Sequence, residues 1–356
     1  MSYKYTHFIP ENTAPKGAKR IGVYRKNGDK TERVCGIPLG SLEPVKKEPL
    51  YSIGVISDPH IYGEGESSYK PNDDKNASED LQRALTYLRD KVAFTCVCGD
   101  LTSWGTTVGF EKYQSIVETY RGNMPVYAIA GNHEYWGAYY GGGKPYPIIP
   151  TEIKTYTGLD LFDVVEYGND VFIFGGASAI QDEFSTISVK IGDETKTLNK
   201  YDWLVEQFDR YKGRRIFLFM HCFLFGEEYC GDSTGIINTH DMIKTYKDSF
   251  ISLLRANPNV IYFHGHSHTL LEMQEYMESL TPPLPANYDN ACGVPSIHIP
   301  SVTMPRDISS GVRVENGTKS QGYIVDVHDD CIVLKGMDLV NQKQLAIGTY
   351  KIETVV

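Results

Sequence analysis

Tyr51-Ser52-Ile53-Gly54-Val55-Ile56-Ser57-Asp58-Pro59-His60 joins a short β-branched apolar run to a polar fragment. Apolar continuity over so few residues reads as a buried strand, and the Asp-x-His pair falls just beyond its end. The same juxtaposition recurs downstream. Ala93–Cys98 runs into Gly99-Asp100, Val126–Ala130 into Gly131-Asn132-His133-Glu134, Arg215–Met220 into His221, and Asn259–His264 into Gly265-His266-Ser267-His268. Val171–Gly175 is a further strand candidate without a polar follower. Between these runs, Leu81, Ala84, Leu85 and Leu88 recur at helical spacing, as do Phe110, Tyr113, Val117 and Tyr120, with Gly122 as a stop. Trp203, Leu204, Phe208 and Tyr211 mark a third helix, and Ile243, Tyr246, Phe250 and Leu254 a fourth. Alternation of strand and helix is the pattern of an α/β domain. Since carboxyl ends of strands in such a sheet line one edge, the polar fragments are expected to converge there.

The flanking sequence is less regular. Asn27-Gly28 between Arg20–Arg25 and Thr31–Pro38 predicts a β-hairpin, and Pro44–Pro49 reads as a linker, so residues 1–48 form an N-terminal extension to a main domain over 49–356. Asn76 with Glu79 has the form of a helix cap, and Asp73-Asp74 before it reads as a solvated acidic turn. After His268 a Pro-rich stretch, Thr281–Pro285, precedes strand-like Ser296–Pro300, Gln321–His328 and Cys331–Lys335, placed in a sheet behind the polar edge.

Composition excludes several classes. Against 45 Asp+Glu stand 35 Lys+Arg, a formal charge of −10 that disfavours a nucleic-acid partner. Neither an export signal nor an apolar stretch of membrane-spanning length is evident, so a cytoplasmic protein with no membrane partner is expected. The seven cysteines are dispersed and read as reduced thiols. Cys96 and Cys98 share one strand face as small buried hydrophobes, while Cys222 is expected to point away from its neighbour His221. Of the remaining histidines, His264 is expected to be buried, His298 has a smaller claim to face the site, and His7, His240 and His328 are expected at the surface.

Asp, Asn and His on rigid strand ends suit transition metals, because imidazole favours them and carboxylate accepts Mn and Fe as readily as Mg. Two neighbouring ions need a shared ligand, for which the Asp100 carboxylate is suited. In order, the fragments D-x-H, G-D, G-N-H-E, H and G-H-x-H resemble the calcineurin-like metallophosphoesterase superfamily over about Leu50 to Leu271. The resemblance implies a four-layer α/β/β/α sandwich of two mixed sheets flanked by helices. It also implies a centre of two metal ions, Mn2+, Fe2+/Fe3+ or Zn2+. Asp58, His60 and His268 would hold the first ion, Asn132, His221 and His266 the second, with Asp100 between them. A hydroxide bridging the ions would attack phosphorus in line, and His133 would stabilise the phosphoryl group or protonate the leaving oxygen. Glu134 would orient His133 or hold its loop.

Departures narrow the branch. Where protein phosphatases of this superfamily carry G-D-x-x-D-R-G, Gly99–Gly105 reads Gly-Asp-Leu-Thr-Ser-Trp-Gly, with Ser103 and Trp104 in place of Asp and Arg. Ser103 also replaces the metal-binding Tyr of the purple acid phosphatases, which lack a counterpart of His60. What remains resembles the cyclic-nucleotide and glycerophosphodiester phosphodiesterases, although these usually have Asp where Glu134 stands. A small phosphodiester or nucleotide is thus the expected substrate, contacted by Asn132 and His133. Aromatics of Tyr135 to Lys144, Tyr135 and Trp136 foremost, would form a wall of its pocket, and Lys144 would reach phosphate. A phosphomonoesterase, a repair-type nuclease and a non-catalytic scaffold are the alternatives; oligomeric state is left open.

Overall fold

The computed structural model describes residues 2–7, 20–27, 30–38, 47–66, 71–140, 149–179, 182–191, 194–222, 245–271, 288–289, 294–307, 312–313, 319–345 and 348–355. After β1 (Ser2–His7), strands β2 (Arg20–Asn27) and β3 (Lys30–Pro38) pair antiparallel with Asn27 against Lys30, the expected hairpin. Parallel strands β4 (Tyr51–Ile56), β5 (Phe94–Cys98) and β6 (Val126–Ile129) follow, connected by α1 (Pro71–Leu88) and α2 (Thr107–Tyr120), because parallel neighbours need a long crossover. The next elements are α3 (Trp136–Tyr139), α4 (Ile149–Thr157), the antiparallel pair β7 (Phe162–Tyr167) and β8 (Asp170–Gly175), and the ribbon β9 (Ile187–Ile191) with β10 (Glu194–Leu198). Then come α5 (Lys200–Arg210), β11 (Ile216–Met220), α6 (Lys247–Ala256) and β12 (Val260–His264). Short strands β13 (Tyr288–Asp289), β14 (Val294–His298), β15 (Arg306–Asp307) and β16 (Val312–Arg313) lead to β17 (Gln321–Val327), β18 (Cys331–Asp338), β19 (Lys343–Gln344) and β20 (Tyr350–Val355).

Two sheets carry the domain. One runs β1-β20-β18-β17-β4-β5-β6 with β19 on β18, and the other runs β13-β14-β12-β11-β8-β7. Period-two alternation decides how they pack. From the first sheet Ile53, Val55, Phe94, Cys96 and Cys98 face Phe172, Phe174, Phe217, Phe219, Ile261 and Phe263 of the second. Register stacks these rings: Phe172 on Phe217 at 4.8 Å and Phe219 on Phe263 at 4.9 Å between centroids. The opposite face of the first sheet, with Val97 and Ala128, is covered by Leu81, Leu85, Phe110 and Tyr113 of α1 and α2. Leu204, Phe208, Phe250 and Leu254 of α5 and α6 cover Val171, Leu218 and Tyr262 on the outer face of the second. The layers are therefore α/β/β/α, as expected.

Several local expectations are corrected. Pro71 opens α1, where its missing N–H costs nothing, and Asp73 and Asp74 occupy the first turn, where carboxylates suit the helix dipole. Asp73-Asp74 is thus no solvated turn, Asp74 being buried against Lys112, and Asn76 lies inside the helix rather than at its cap. α2 and α5 do have side-chain caps: Thr106 accepts from Gly109 N at 3.1 Å, and Asn199 from Tyr201 N at 3.0 Å. The C-terminal strands form no separate sheet. β14 lies parallel to β12 in the second sheet, whereas β17 and β18 are inserted between β4 and β20 in the first. β1 pairs antiparallel with β20, which adds Ser2–His7 to the first sheet. His328, expected at the surface, is buried at 6% exposure, with its carbonyl accepting from Arg215. Among the described residues no helix is long and apolar enough to cross a membrane. Thr281–Pro285, Ile243, His240 and the first half of the linker lie outside the described residues.

Candidate metal centre

β4, β5 and β6 of one sheet, with β11 and β12 of the other, end on a common edge, and the polar fragments meet there. The backbone itself is unusual at this edge. Asp58, His60, Asp100, His266 and His268 have φ of 54°, 45°, 50°, 69° and 59°; among the described non-glycine residues only Gln342 joins them. Each such residue costs of order 1–3 kcal/mol and persists only where its surroundings hold it. Here the hold is a set of cross-strand bonds: Asp58 N to Gly99 O at 3.1 Å, His60 N to Asp100 O at 2.9 Å, and His266 N to Asp58 Oδ2 at 3.2 Å. Glycine is required beside them. A Cβ on Gly99, itself at φ +87°, would run into the His221 imidazole, and one on Gly131 into the Asp100 carboxylate.

Side chains converge in two groups. Asp58, His60, Asp100 and His268 offer ligand atoms within 4.8 Å of one another, and so do His221, Cys222 and His266. In the first group, Nε2 of His268 lies 3.1 Å from Asp58 Oδ1 and 3.0 Å from His60 Nε2, which is 3.5 Å from Asp100 Oδ2. In the second, Nε2 of His221 is 3.3 Å from His266 Nδ1, 3.1 Å from Asn132 Oδ1 and 3.2 Å from the same Asp100 Oδ2. Asp100 therefore touches both groups, as its expected place between two ions requires.

The donor set fits metal ions. Nδ1 of His221 donates to Cys98 O at 2.8 Å and Nδ1 of His268 to Met304 O at 3.2 Å, which turns each Nε2 lone pair inward. Asp58 Oδ1 is buried without a hydrogen-bond partner. Acceptors aimed at one point repel unless a cation lies between them, so the geometry calls for positive charge. Burial disfavours a charged His221, yet Asp100 and Asp58 overcome it and raise the imidazole to about 10. His266, where burial and the neighbouring His221 act together, falls to about 3. Burial also opposes ionisation of Asp100, but His221, His133 and His60 hold it well below the usual carboxylate range.

His133 sits on a 3₁₀ turn, His133–Tyr135, at the rim. Its N–H donates to Asp100 Oδ1 at 2.9 Å, its Nδ1 donates to Ser103 O at 2.8 Å, and its Nε2 stands 4.0 Å from Asp100 Oδ2. Glu134 holds the loop, accepting from Gly131 N at 2.6 Å and Thr102 N at 2.9 Å; burial and then Asp100 raise its carboxyl to about 8. Trp136 stacks on His133 at 3.9 Å. Tyr135 does not line a pocket: it is wholly buried and donates to Ala177 O at 2.6 Å, because on this turn it points into the core. Lys144 lies outside the described residues.

Supporting groups escaped sequence reasoning. Ser301 and Thr303 donate to Asp58 O at 2.8 and 3.1 Å, and Met304 O orients His268. Their signal was faint: Ser301–Met304 follows another parallel strand, β14. His298 stands behind the ligands, with Ser267 Oγ 3.2 and 3.1 Å from its two ring nitrogens, and so braces the loop between His266 and His268. His264 is buried as expected, and Cys96 and Cys98 are free buried thiols. Cys222 has its Sγ within 4.8 Å of ligand atoms of His221 and His266, but as expected it packs away from the edge, in the apolar cluster with Leu204, Phe208 and Phe250 on the outer face of the second sheet.

A two-group acceptor centre at the strand ends of an α/β/β/α sandwich is the arrangement of a metal centre. The calcineurin-like phosphoesterase family matches residues 51–270, and the chain belongs to that family. Two solved structures share the fold. A dimetal phosphatase from Danio rerio is 14% identical, with TM-score 0.54 over 86% of this chain and 100% of that one. A purple acid phosphatase from yellow lupin (Lupinus luteus) seeds is 11% identical, with TM-score 0.52 over 91% of this chain and 57% of that one. No curated protein matches the sequence.

Proposed function

We propose that the protein hydrolyses a small phosphodiester, nucleotide-sized rather than polymeric. The observation that carries this is the Asp100 carboxylate touching both acceptor groups with His133 beside it. In this reading Asp58, His60 and His268 hold one ion, Asn132, His221 and His266 the other, and Asp100 is common to both. Ions held there would supply positive charge to the phosphate oxygens and lower the pKa of a water molecule. His133 fixes the phosphoryl group; its Nε2 is the proton donor to the departing oxygen, since Nδ1 is committed to Ser103 O. An imidazole-rich set favours Mn, Fe or Zn over Mg.

The diester reading is supported by Ser103 and Trp104, neutral residues where the protein phosphatases place Asp and a phosphate-binding Arg. A monoester dianion gains more from such a cation than a singly charged diester does. Acidic overall charge argues against a nucleic-acid polymer. The test is hydrolysis of a bis-aryl phosphodiester against an aryl monophosphate with Mn, Fe and Zn, alongside measured metal content. Faster cleavage of the monoester would favour the phosphomonoesterase alternative, and inactivity on both with two ions bound would sink the reading.

A further inference from the structure

We infer that the departing group of the substrate carries a planar aromatic ring, a nucleobase above all, seated on the cluster formed by Trp136, Trp104 and Tyr140. This rests on the reading of His133 as the residue on the leaving-group side. Trp136, one helical turn after His133, lays its indole on the imidazole at 3.9 Å and 16°. The indole of Trp104 meets that of Trp136 edge-on at 6.1 Å, and Tyr140 stands 5.6 Å from Trp136 and 6.3 Å from Trp104. Tyr139 continues the cluster 4.9 Å from Tyr140. The rings thus run outward from the edge where the bond to phosphorus breaks.

Two observations separate this cluster from ordinary packing. Tyr140 and Tyr139 are 60% and 48% exposed, whereas the rings between the two sheets are buried almost completely. The arrangement is also braced: Gly137 N donates to Trp104 O at 2.8 Å, tying the loop after β5 to the segment that carries His133. Ring faces offer dispersion and stacking but few hydrogen-bonding atoms. A polyol would surrender hydration there without replacement, while a base exchanges apolar surface for apolar surface. Stacking also tolerates any base, so the class is aromatic rather than one particular nucleobase.

The test uses two substrates with the same bond to phosphorus: the methyl diester of adenosine 5′-phosphate and that of ribose 5-phosphate, with the full chain and Mn2+. For the wild type the base should raise kcat/KM about tenfold or more, the effect of one base–aromatic stack, and Tyr140→Ala and Trp104→Leu should bring the ratio toward one. A ratio near one in the wild type, or one unchanged in both variants, overturns the inference. Binding is read separately from turnover. Two of the three tryptophans lie in the cluster, so adenosine alone should quench fluorescence of the wild type and quench Tyr140→Ala less. Absence of quenching overturns the aromatic site even if both esters are cleaved. Quenching without cleavage of either ester supports the site and counts against the hydrolysis reading instead.

Discussion

Nε2 of His60 and Nε2 of His268, brought from β4 and β12 in different sheets, lie 3.0 Å apart. With Asp58 Oδ1 at 3.1 Å from the second, two imidazole nitrogens and a carboxylate oxygen crowd one point, a donor set suited to a cation. We expect two metal ions per chain, and His268→Ala to retain one. Each ion held at a hundred times its Kd stabilises the fold by about 2.7 kcal/mol, so a chelator should shift denaturant unfolding accordingly. An unfolding curve indifferent to the chelator would remove the metal from this account.

Asp100→Asn should weaken both ions together, read as metal content, because one carboxylate oxygen serves both groups. Intact dinuclear occupancy in that variant would refute the shared role. His133→Ala should keep its metal and lose about 10²–10⁴ in turnover, the usual worth of a positioned acid. Loss of metal instead would make His133 a ligand.

Proton and metal compete at His221. Raised to about 10 in the metal-free protein, its imidazole is protonated at neutral pH and must give up that proton to ligate. Affinity at that position should therefore climb roughly tenfold per pH unit from neutrality toward about 10, with one proton released, measurable by calorimetry in buffers of different ionisation enthalpy. Without metal, the His221 contribution to stability is complete below about pH 6.5 and lost as pH rises through about 10. Asp58 and Asp100, held low by their histidines against burial, act oppositely: their contribution is present above about pH 4 and lost on acidification.

Lys200 and Glu183 form a wholly buried pair at 2.6 Å under the second sheet, with the ammonium also donating to Gly175 O at 3.3 Å. Lys200→Met strands the carboxylate and should destabilise by about 3–5 kcal/mol in urea unfolding. Lys200→Met with Glu183→Leu should recover most of that loss. A double variant no better than the single would show that the pair is not what the interior requires.

The strand runs ending in Asp58, Asp100, Asn132, His221 and His266 were legible in sequence, with boundaries within a residue of the observed strands, because a buried parallel strand must be continuously apolar and its polar follower stands out. The candidate ligands were named on those same residues, through the family resemblance. Sequence order could not reveal which strands share a sheet. β17 and β18, far from β4 along the chain, complete its sheet through backbone hydrogen bonds that carry no side-chain signature. Nor could it separate Tyr135 from Trp136. Adjacent on one turn, they diverge because successive side chains leave a helical turn about 100° apart, one toward Ala177 in the core and one onto His133 at the rim. The residue types alone thus determined that metal would be bound and at which strand ends. Folding decided which oxygen is shared, which lone pairs face inward, and which aromatic rings remain at the edge, since each depends on distances between segments that only packing sets.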